Sequence, residues 1–453
     1  MSLKSINPFT KKLIEEFQEF SEAKVEEILV QSVDAFEKWK RTDFRYRKSL
    51  MNKAADLLIK NVKEYSMTTT KEMGKPISES KAEVEKCAWV CDYYAKNSED
   101  FLKDESVDTE AYISYVRYEP LGPILGIMPW NFPFWQVFRF AVPTIMAGNT
   151  VLLKHASNVQ MCARHIENIF TQSGFPPSVF SNLTLGSDRV HSIIEHNAVK
   201  AVSLTGSAVA GQKVAETAGR NIKKCLLELG GNNAFIVLED ADLEKAAEVG
   251  IKARMMNAGQ SCIAAKRFII HANVKDKFIE LFLEKLNTLK QGDPAQDGIN
   301  IGPLATIQQA EAVEKQVKTS VEMGARIIAG GKRMNAFYTP TLVVDVRPGM
   351  PLFDEEVFGP VAPIIIARDT ADAVSLANQT KFGLGVSLFT NDLKKAQETV
   401  SDFNDGAVFI NELVKSDPRL PFGGTGRSGF GRELAIHGIR EFVNIKTVYF
   451  KKF

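Results

Sequence analysis

Apolar side chains recur at helical spacing through the first hundred residues of the chain. Between Val25 and Phe36 they fall mostly three or four positions apart, and Ser21 precedes this run as the expected N-cap. The same spacing returns over residues 48–62 and 78–94. We therefore predict that the N-terminal hundred residues are helical.

The pattern changes at Tyr112–Tyr118 (YISYVRY), where apolar and polar residues alternate as they do in a strand. Short apolar runs then alternate with helix-like segments as far as residue 238. The runs lie at 123–128, 150–153, 199–204 and 225–227, and the helical segments at 159–173 and 208–218. This order predicts βαβ units and a mostly parallel sheet that is covered on both faces.

A second α/β series extends from Ala234 to about Ile410, where the strand-like runs AFIVL, RFIIH, APIII and VSLF are separated by helical stretches. Residues 442–450 (FVNIKTVYF) alternate again as a final strand. This strand has no obvious local partner. We expect it and Tyr112–Tyr118 to pair with each other or with another subunit.

The composition is that of an ordinary globular protein. The 453 residues are 45% apolar and 25% charged, and 56 Lys and Arg against 55 Asp and Glu leave a net charge of +1. The length predicts two or three domains, and the near-zero charge gives no reason to expect nucleic acid or an anionic membrane as a partner. The most apolar stretch, Leu121–Gly148, contains four prolines and Arg139, which argues against a membrane span.

Five cysteines are too few and too irregularly spaced for a disulfide framework, and no zinc-like Cys/His spacing occurs. Free thiols fit a reducing compartment, and the polar N-terminus lacks an apolar leader, so we expect a cytoplasmic protein. Cys87 and Cys91, one turn apart on a predicted helix, are interpreted as packing or surface residues.

Three residues are candidates for covalent catalysis. Cys262 follows a Gly-Gln turn where a thiolate can be exposed as a nucleophile. Glu228 ends an apolar strand before two glycines, where a carboxylate can hold a water as general base. Asn131 lies between two aromatic residues and two prolines, and its amide can donate a hydrogen bond to an oxyanion.

Other residues are candidates for nucleotide binding. Gly206 and Gly211 in TGSAVAG open a predicted helix, whose N-terminus can carry a pyrophosphate. Lys154 closes a predicted strand and can bind ribose hydroxyls or a phosphate. Glu356 and Phe358 lie two residues apart, so that one can hold a sugar and the other a flat ring.

Six motifs in a fixed order resemble the NAD(P)-dependent aldehyde dehydrogenase superfamily: PWNFP, TGSAVAG, LELGG, GQSC, EEVFGP and PFGGTGRSGFGRE. The resemblance extends from about Pro120 to the end and, more loosely, over the N-terminus. It implies an α/β fold with two doubly wound, mostly parallel-sheet domains and a small β oligomerisation element. The implied Rossmann-like cofactor domain covers 1–107 and 120–228, the catalytic domain 229–425, and the oligomerisation element 108–119 and 426–453. The family suggests a homodimer or homotetramer.

The resemblance also implies a role for each matching residue. Cys262 attacks an aldehyde, Asn131 and the Cys262 backbone N–H stabilise the oxyanion, and hydride passes to NAD or NADP. Glu228 then activates the water that hydrolyses the thioester to a carboxylate. By the same resemblance, Lys154 and Glu356 bind the two riboses of the cofactor, and Phe358 packs beside the nicotinamide. Ser207 and Trp130 line the pyrophosphate and carbonyl region.

Two positions depart from the family pattern. The usual Lys-Pro is Lys154-His155 here, and Ser157 stands where NAD-preferring members often place a glutamate. A glutamate would repel a 2′-phosphate and a serine would not, so we predict dual or NADP-tolerant cofactor use.

For the substrate, the chain most resembles the short succinate-semialdehyde dehydrogenases. Arg139 follows PWNFP where that group binds a distal carboxylate, in a predicted aromatic pocket of Phe132, Phe134 and Trp135, and Ser416 can add a hydrogen bond. Met256 stands where some members carry a second arginine.

Four interpretations stay open at this point. They are oxidation of succinate semialdehyde, oxidation of another small aliphatic or glutarate-type semialdehyde, CoA-acylating oxidation, and an inactive structural homologue. Glu228 favours hydrolysis over transfer to CoA, because a thiol acceptor does not need a water-activating base.

Overall fold

The structure is a computed structural model that describes residues 2–452. The helices are α1 Glu22–Trp39, α2 Phe44–Lys60, α3 Val62–Met73, α4 Ile77–Phe101, α5 Trp135–Met146, α6 Gln160–Gln172, α7 Val190–Glu195, α8 Ala208–Arg220, α9 Leu243–Met255, α10 Lys275–Leu286, α11 Ile307–Glu322, α12 Pro351–Asp354, α13 Thr370–Asn378, α14 Leu393–Thr399 and α15 Ala435–Arg440.

The strands up to residue 271 are β1 Ser2–Ile6, β2 Leu13–Gln18, β3 Glu105–Ser106, β4 Ile113–Pro120, β5 Pro123–Met128, β6 Thr150–His155, β7 Phe180–Asn182, β8 Ala201–Thr205, β9 Lys224–Glu228, β10 Ala234–Val237 and β11 Arg267–His271. Those that follow are β12 Arg326–Ala329, β13 Arg333–Met334, β14 Phe337–Tyr338, β15 Thr341–Val344, β16 Val361–Ala367, β17 Phe382–Gly383, β18 Val386–Phe389, β19 Val408–Ile410, β20 Thr425–Gly426, β21 Gly429–Phe430 and β22 Val443–Phe450.

The first large sheet has the order β21-β9-β8-β5-β6-β7, and all of its pairs are parallel except β21 with β9. Every residue of β6 is buried, as expected for a parallel strand that helices cover on both faces. Helices α5, α6 and α8 connect consecutive parallel strands, so the predicted βαβ units are confirmed. Glu228 lies at the carboxyl end of β9 and Lys154 near that of β6.

The second large sheet has the order β12-β15-β16-β11-β10-β18-β19 and is parallel apart from its edge strand β12. Its core strands are β10, β11, β16 and β18, which correspond to the predicted runs AFIVL, RFIIH, APIII and VSLF. Cys262 precedes β11. The α/β fold with two mostly parallel sheets is thus as predicted. The candidate residues lie at the ends of strands of both sheets, with Glu228 at the end of β9 and Cys262 just before β11.

The small third sheet has the order β22-β4-β3. Strand β22 pairs with β4 along its whole length, from Val443 opposite Pro120 to Phe450 opposite Ile113. Of the two pairings expected for the terminal strand, with the YISYVRY segment or with another subunit, the structure shows the first. The outer edge of β22 carries no further strand within residues 2–452.

The prediction for the N-terminus was only partly correct. Ser21 caps α1 as expected, accepting a hydrogen bond from Lys24 N–H (3.2 Å). Residues 2–18, however, form the β1–β2 hairpin instead of a helix. Contacts distant in sequence hold it, since Ser5 donates a hydrogen bond to Glu72 of α3 and Glu15 pairs with Arg164 of α6 (2.6 Å).

The buried interior accounts for two other sequence features. The apolar stretch 121–148 is β5 followed by α5, and α5 is buried on all sides. Within residues 2–452 we find no helix that is both long enough and apolar enough to cross a membrane. Cys87 and Cys91 are fully buried in the core around α4, which confirms their interpretation as packing residues.

Candidate active site

Cys262 follows a turn of unusual backbone geometry between α9 and β11. Asn257, Ala258 and Gly259 all have positive φ, at 53°, 51° and 75°. A side chain at Gly259 would put its Cβ 2.3 Å from the carbonyl oxygen of Gly359, so only glycine fits there. The sequence predicted a turn before Cys262 but not that three successive residues take this conformation.

Two side chains from distant elements hold this turn in place. Glu79 of α4 accepts a hydrogen bond from Asn257 N–H (2.7 Å), and the Asn257 amide donates to the Asn131 carbonyl (2.8 Å). The amide of Asn131 donates in turn to the Gln260 carbonyl (3.1 Å). The structure therefore brings Asn131 against the Cys262 turn, although 129 positions separate Asn131 from Gln260.

The Cys262 thiol is half-buried, and burial raises its pKa to about 11. The positive charges of Arg139 and Lys266 oppose that shift, while the carboxylates of Glu356 and Glu228 add to it. At neutral pH the resting thiol is protonated. Attack on a carbonyl therefore requires removal of its proton as the substrate binds.

Glu228 is buried, and its pKa lies well above the usual range because of burial and of repulsion from Glu433, against the attraction of Arg139 and Arg432. Its Oε1 atom has no hydrogen-bond partner within residues 2–452 and faces Gly423, where a side chain would leave only 2.8 Å to that oxygen. Glu228 is close enough to Cys262 to raise the pKa of the thiol. A buried carboxyl with an open oxygen has the properties of a general base that awaits a water.

A cleft of about 230 Å³ extends from Cys262 along the first sheet. Besides Cys262, its lining includes six of the predicted residues, namely Trp130, Asn131, Gly206, Ser207, Glu356 and Phe358. Ser207 caps α8 and accepts a hydrogen bond from Ala210 N–H (3.2 Å), so the amino end of a 13-residue helix opens at this cleft. Gly211 lets α8 pack tightly, since a Cβ there would lie 2.7 Å from Leu229.

Glu356 and Phe358 form the opposite wall of the cleft. Glu356 accepts a hydrogen bond from Gly231 N–H (3.1 Å) and forms an ion pair with Lys266 (3.3 Å). The Phe358 ring meets Trp130 edge to face, with 5.9 Å between centroids. A Cβ at Gly230 would collide with Glu356 at 2.1 Å, so this glycine makes room for the carboxylate. Helix end, carboxylate and aromatic wall together fit a dinucleotide.

Lys154 and Ser157 lie at the end of β6 and in the turn that follows it, outside the lining of this cleft. Lys154 is buried, which lowers its pKa, while the negative charges of Asp188 and Glu19 act in the opposite direction. Ser157 is half-buried and brings no charge to the turn.

His155, the departure from Lys-Pro, holds the PWNFP loop in place. Its Nδ1 accepts a hydrogen bond from Ala156 N–H (2.8 Å), so Nε2 carries the proton and donates to the Pro133 carbonyl (2.9 Å). Burial lowers the pKa of His155 to about 4, and the ring is neutral. This contact was not anticipated from the sequence.

A second cavity, of about 700 Å³, also reaches Cys262. The predicted residues Phe132, Trp135, Arg139 and Ser416 line it. The prediction for Phe134 was wrong, because this ring is fully buried and packs on Tyr65, with 5.6 Å between centroids.

Arg139 reaches the cavity with its guanidinium already paired. Its Nε forms an ion pair with Glu433, and its Nη2 lies 3.4 Å from the Thr205 hydroxyl. The predicted contact of Arg139 with a substrate carboxylate stays a prediction. Lys86 of α4, which was not among the predicted site residues, lines the same cavity and donates a hydrogen bond to Ser416 (2.9 Å).

Comparison with known proteins agrees with this site. The aldehyde dehydrogenase family model matches residues 1–448. The chain is 46% identical over 452 residues to a probable succinate-semialdehyde dehydrogenase [NADP(+)] of Synechocystis sp., covering 99% of this chain and 100% of that one. It is 44% identical over 455 residues, with the same coverage, to succinate-semialdehyde dehydrogenase [NADP(+)] 1 of Mycobacterium tuberculosis.

Among solved structures, the succinic semialdehyde dehydrogenase of Streptococcus pyogenes in complex with NADP+ superimposes with a TM-score of 0.97 at 34% identity, covering 99% of this chain and 100% of that chain. The family match spans nearly the whole chain, and its motifs converge on Cys262 in the structure. The chain belongs to the aldehyde dehydrogenase family.

Proposed function

We propose that this protein oxidises succinate semialdehyde to succinate and uses NADP+ as the hydride acceptor. The observation that carries the proposal is the position of Cys262, which lies in the wall of both the dinucleotide cleft and the larger cavity. That cavity joins aromatic walls to basic side chains, as the recognition of a short anionic aldehyde requires. The names of the relatives point to the same substrate and cofactor.

In the proposed reaction, the Cys262 thiol releases its proton to solvent as the substrate binds, and Sγ then attacks the carbonyl carbon of the aldehyde. The Asn131 amide and the Cys262 backbone N–H donate hydrogen bonds to the resulting oxyanion. Bound NADP+ supplies the acceptor for the hydride that leaves this carbon. The cysteine is then left as a thioester, and Glu228 removes a proton from the water that attacks it. Release of the carboxylate returns Cys262 to its resting form.

The cofactor is proposed to lie with its pyrophosphate at the N-terminus of α8, next to Gly206 and Ser207, with Trp130 beside it. Glu356 would bind the nicotinamide ribose and Phe358 would pack on the ring. Lys154 and Ser157 would receive the adenosine ribose, where Lys154 offers a positive charge to a 2′-phosphate.

A panel of kcat/KM values tests this proposal. The substrates are succinate semialdehyde, glutarate semialdehyde, butanal and pentanal, each measured with NADP+ and with NAD+, in the presence and absence of CoA. We expect succinate semialdehyde to be preferred over butanal, succinate to form without CoA, and NADP+ to be accepted. Equal values for the acids and the uncharged aldehydes would contradict the substrate assignment, and a requirement for CoA would contradict the hydrolytic step.

We further propose a homodimer or homotetramer that assembles through the β22 edge. This strand is eight residues long, and Ile445, Tyr449 and Phe450 on it are 66%, 47% and 50% exposed. A long unpaired edge with apolar side chains is a favourable site for pairing with another chain. The five cysteines are all free, which fits the cytoplasm as a reducing compartment.

A further inference from the structure

Lys86 is a partly buried basic group on the wall of the larger cavity, and it lacks an acidic partner, whereas the other unpaired lysine of that wall, Lys252, is exposed. It is half-buried on α4, and within residues 2–452 no carboxylate oxygen lies within 4.0 Å of its ammonium nitrogen. The ammonium group lies 4.1 Å from the centroid of the Trp135 ring and donates a hydrogen bond to Ser416 Oγ (2.9 Å). A partly buried cation is costly unless an anion meets it.

The acidic residues near Lys86 are engaged elsewhere. Asp417 pairs with Arg419 (2.7 Å). Glu83 pairs with Lys75 and accepts hydrogen bonds from the backbone N–H groups of Phe134 and Trp135, where α5 begins. On the same cavity wall, Glu412 pairs with Lys415 at 3.0 Å. The charge of Lys86 is therefore left available to a ligand.

Ser416 has one hydrogen-bonding capacity left beside this cation. Its oxygen accepts hydrogen bonds from Lys86 and from the Trp135 indole N–H (3.1 Å), and its own O–H has no acceptor in the part of the chain that the structure describes. A hydroxyl has two acceptor sites and one donor, so this O–H remains free to donate. An ammonium group and a hydroxyl donor side by side suit the two oxygens of a carboxylate.

We propose that Lys86 receives the distal carboxylate of the substrate in the cavity that leads to Cys262, with the Ser416 hydroxyl as the second donor. This inference rests on the proposed function, because it assumes that the preferred aldehyde is an acid. In this proposal Arg139, which is paired with Glu433, supplies a second positive charge near Lys86 and does not contact the substrate carboxylate directly.

The charge of Lys86 depends on pH in the physiological range. Burial and the neighbouring charge of Arg139 lower its pKa to about 8, against the opposing effects of Cys87, Asp417 and Glu83. The ammonium form dominates below that pH and is lost above it. For an acidic aldehyde, KM should therefore rise as the pH increases through about 8, while KM for an uncharged aldehyde follows only the shared catalytic groups.

The test uses the full-length variants Lys86→Met and Lys86→Arg, with succinate semialdehyde and butanal as substrates. Lys86→Met should raise the KM for succinate semialdehyde at least about tenfold, as expected for a lost hydrogen bond to a charged group, and leave kcat/KM for butanal within about twofold. Lys86→Arg should recover most of the loss. The matched control Lys415→Met removes a charge from the same cavity wall and should leave both substrates unaffected, because Lys415 is exposed and already paired.

An unchanged ratio of the two kcat/KM values in Lys86→Met would overturn the inference, and so would an equal loss for both substrates, since that indicates a structural role. Loss of the pH dependence of the acid-to-neutral KM ratio in Lys86→Met would support it. The proposed function fails separately, if the wild-type protein itself does not prefer the acid.

Discussion

Partial burial and the neighbouring charges together determine the reactivity of the Cys262 thiol. Burial raises the pKa of the thiol to about 11, and Arg139 and Lys266 counteract part of that rise. The resting enzyme therefore keeps a protonated and weakly reactive thiol. Deprotonation belongs to the complex with substrate, where the environment of the sulfur changes.

We expect alkylation of Cys262 by iodoacetamide, in the absence of substrate and cofactor, to accelerate about tenfold per pH unit above neutrality, because the thiolate is the nucleophile. Mass spectrometry of the Cys262 peptide measures this rate. In Lys266→Met the rate near neutral pH should be lower, because the variant removes a charge that lowers the pKa of the Cys262 thiol. The comparison is made below about pH 8, because burial lowers the pKa of Lys266 to about 8 and its charge is lost above that pH. A rate that levels off below pH 8 in the wild-type protein would contradict the raised pKa.

We propose that Ser157 permits a 2′-phosphate because its side chain carries no negative charge. We predict that Ser157→Glu lowers kcat/KM for NADP+ by about tenfold or more, because the new carboxylate repels the phosphate, and leaves the value for NAD+ within about threefold. Steady-state kinetics with both cofactors measure the change. Asn158→Glu, one residue further along the turn, controls for the added charge. An equal fall with both cofactors would show that the substitution damages the turn instead.

Only some residues of the candidate site could be predicted from the sequence. Cys262, Glu228 and Asn131 could be identified because each lies in a motif with local meaning at a strand end or turn. Lys86 could not, because a lysine on an amphipathic helix reads as a surface residue. Its proposed role depends on a hydrogen bond to Ser416, 330 positions away, and such a contact has no signature in the local pattern.

Helices α4 and α5 form the frame on which the larger cavity is built. Glu83 of α4 is buried and accepts hydrogen bonds from Phe134 N–H (2.9 Å) and Trp135 N–H (3.0 Å), which lie at the start of α5. It also pairs with the buried Lys75. One carboxylate thus satisfies the free N–H groups of a helix end and a buried cation together.

We expect Glu83→Ala to lower the free energy of unfolding by about 3–5 kcal/mol, because it leaves Lys75 as an unpaired buried charge. Denaturant unfolding followed by fluorescence measures this loss. Glu85→Ala, on an exposed position of the same helix, should change stability by less than about 0.5 kcal/mol. A similar small effect in both variants would refute the proposed role of Glu83.

Helices and strands with a strongly periodic apolar pattern were the ones predicted correctly from the sequence. The long helices and buried parallel strands were predicted because their apolar pattern repeats over many residues. The β1–β2 hairpin was missed because its strands are short and polar, and contacts such as Glu15 with Arg164 hold it. Helix α3 falls within the predicted helical N-terminus but could not be located as a separate segment, because its buried face carries several threonines and is not apolar.

The whole molecule combines two mostly parallel sheets with a small antiparallel sheet whose outer strand is open. Alternation predicted that β22 and β4 are strands, and their pairing with each other was one of two alternatives. The sequence left open whether the partner lay in the same chain. In the structure, one edge of β22 pairs with β4 of the same chain. The other edge is free for the proposed subunit contact within residues 2–452.

Ile445→Asp combined with Tyr449→Asp should convert the proposed oligomer into a smaller species, because it places charges on the exposed apolar positions of the β22 edge strand. Light scattering coupled to size-exclusion chromatography measures the mass. Asn444→Asp, on the opposite face of the strand, should leave the mass unchanged. A wild-type protein that elutes as a monomer would refute the proposed assembly.

The central claim is that Cys262 carries the oxidation of succinate semialdehyde to succinate. The direct measurement follows NADPH and succinate together in wild-type and Cys262→Ser protein, without CoA. We predict one succinate per NADPH in the wild-type protein and a fall in rate of about 1,000-fold or more in the variant. Equal rates in the two proteins, or NADPH formation without succinate, would contradict the account.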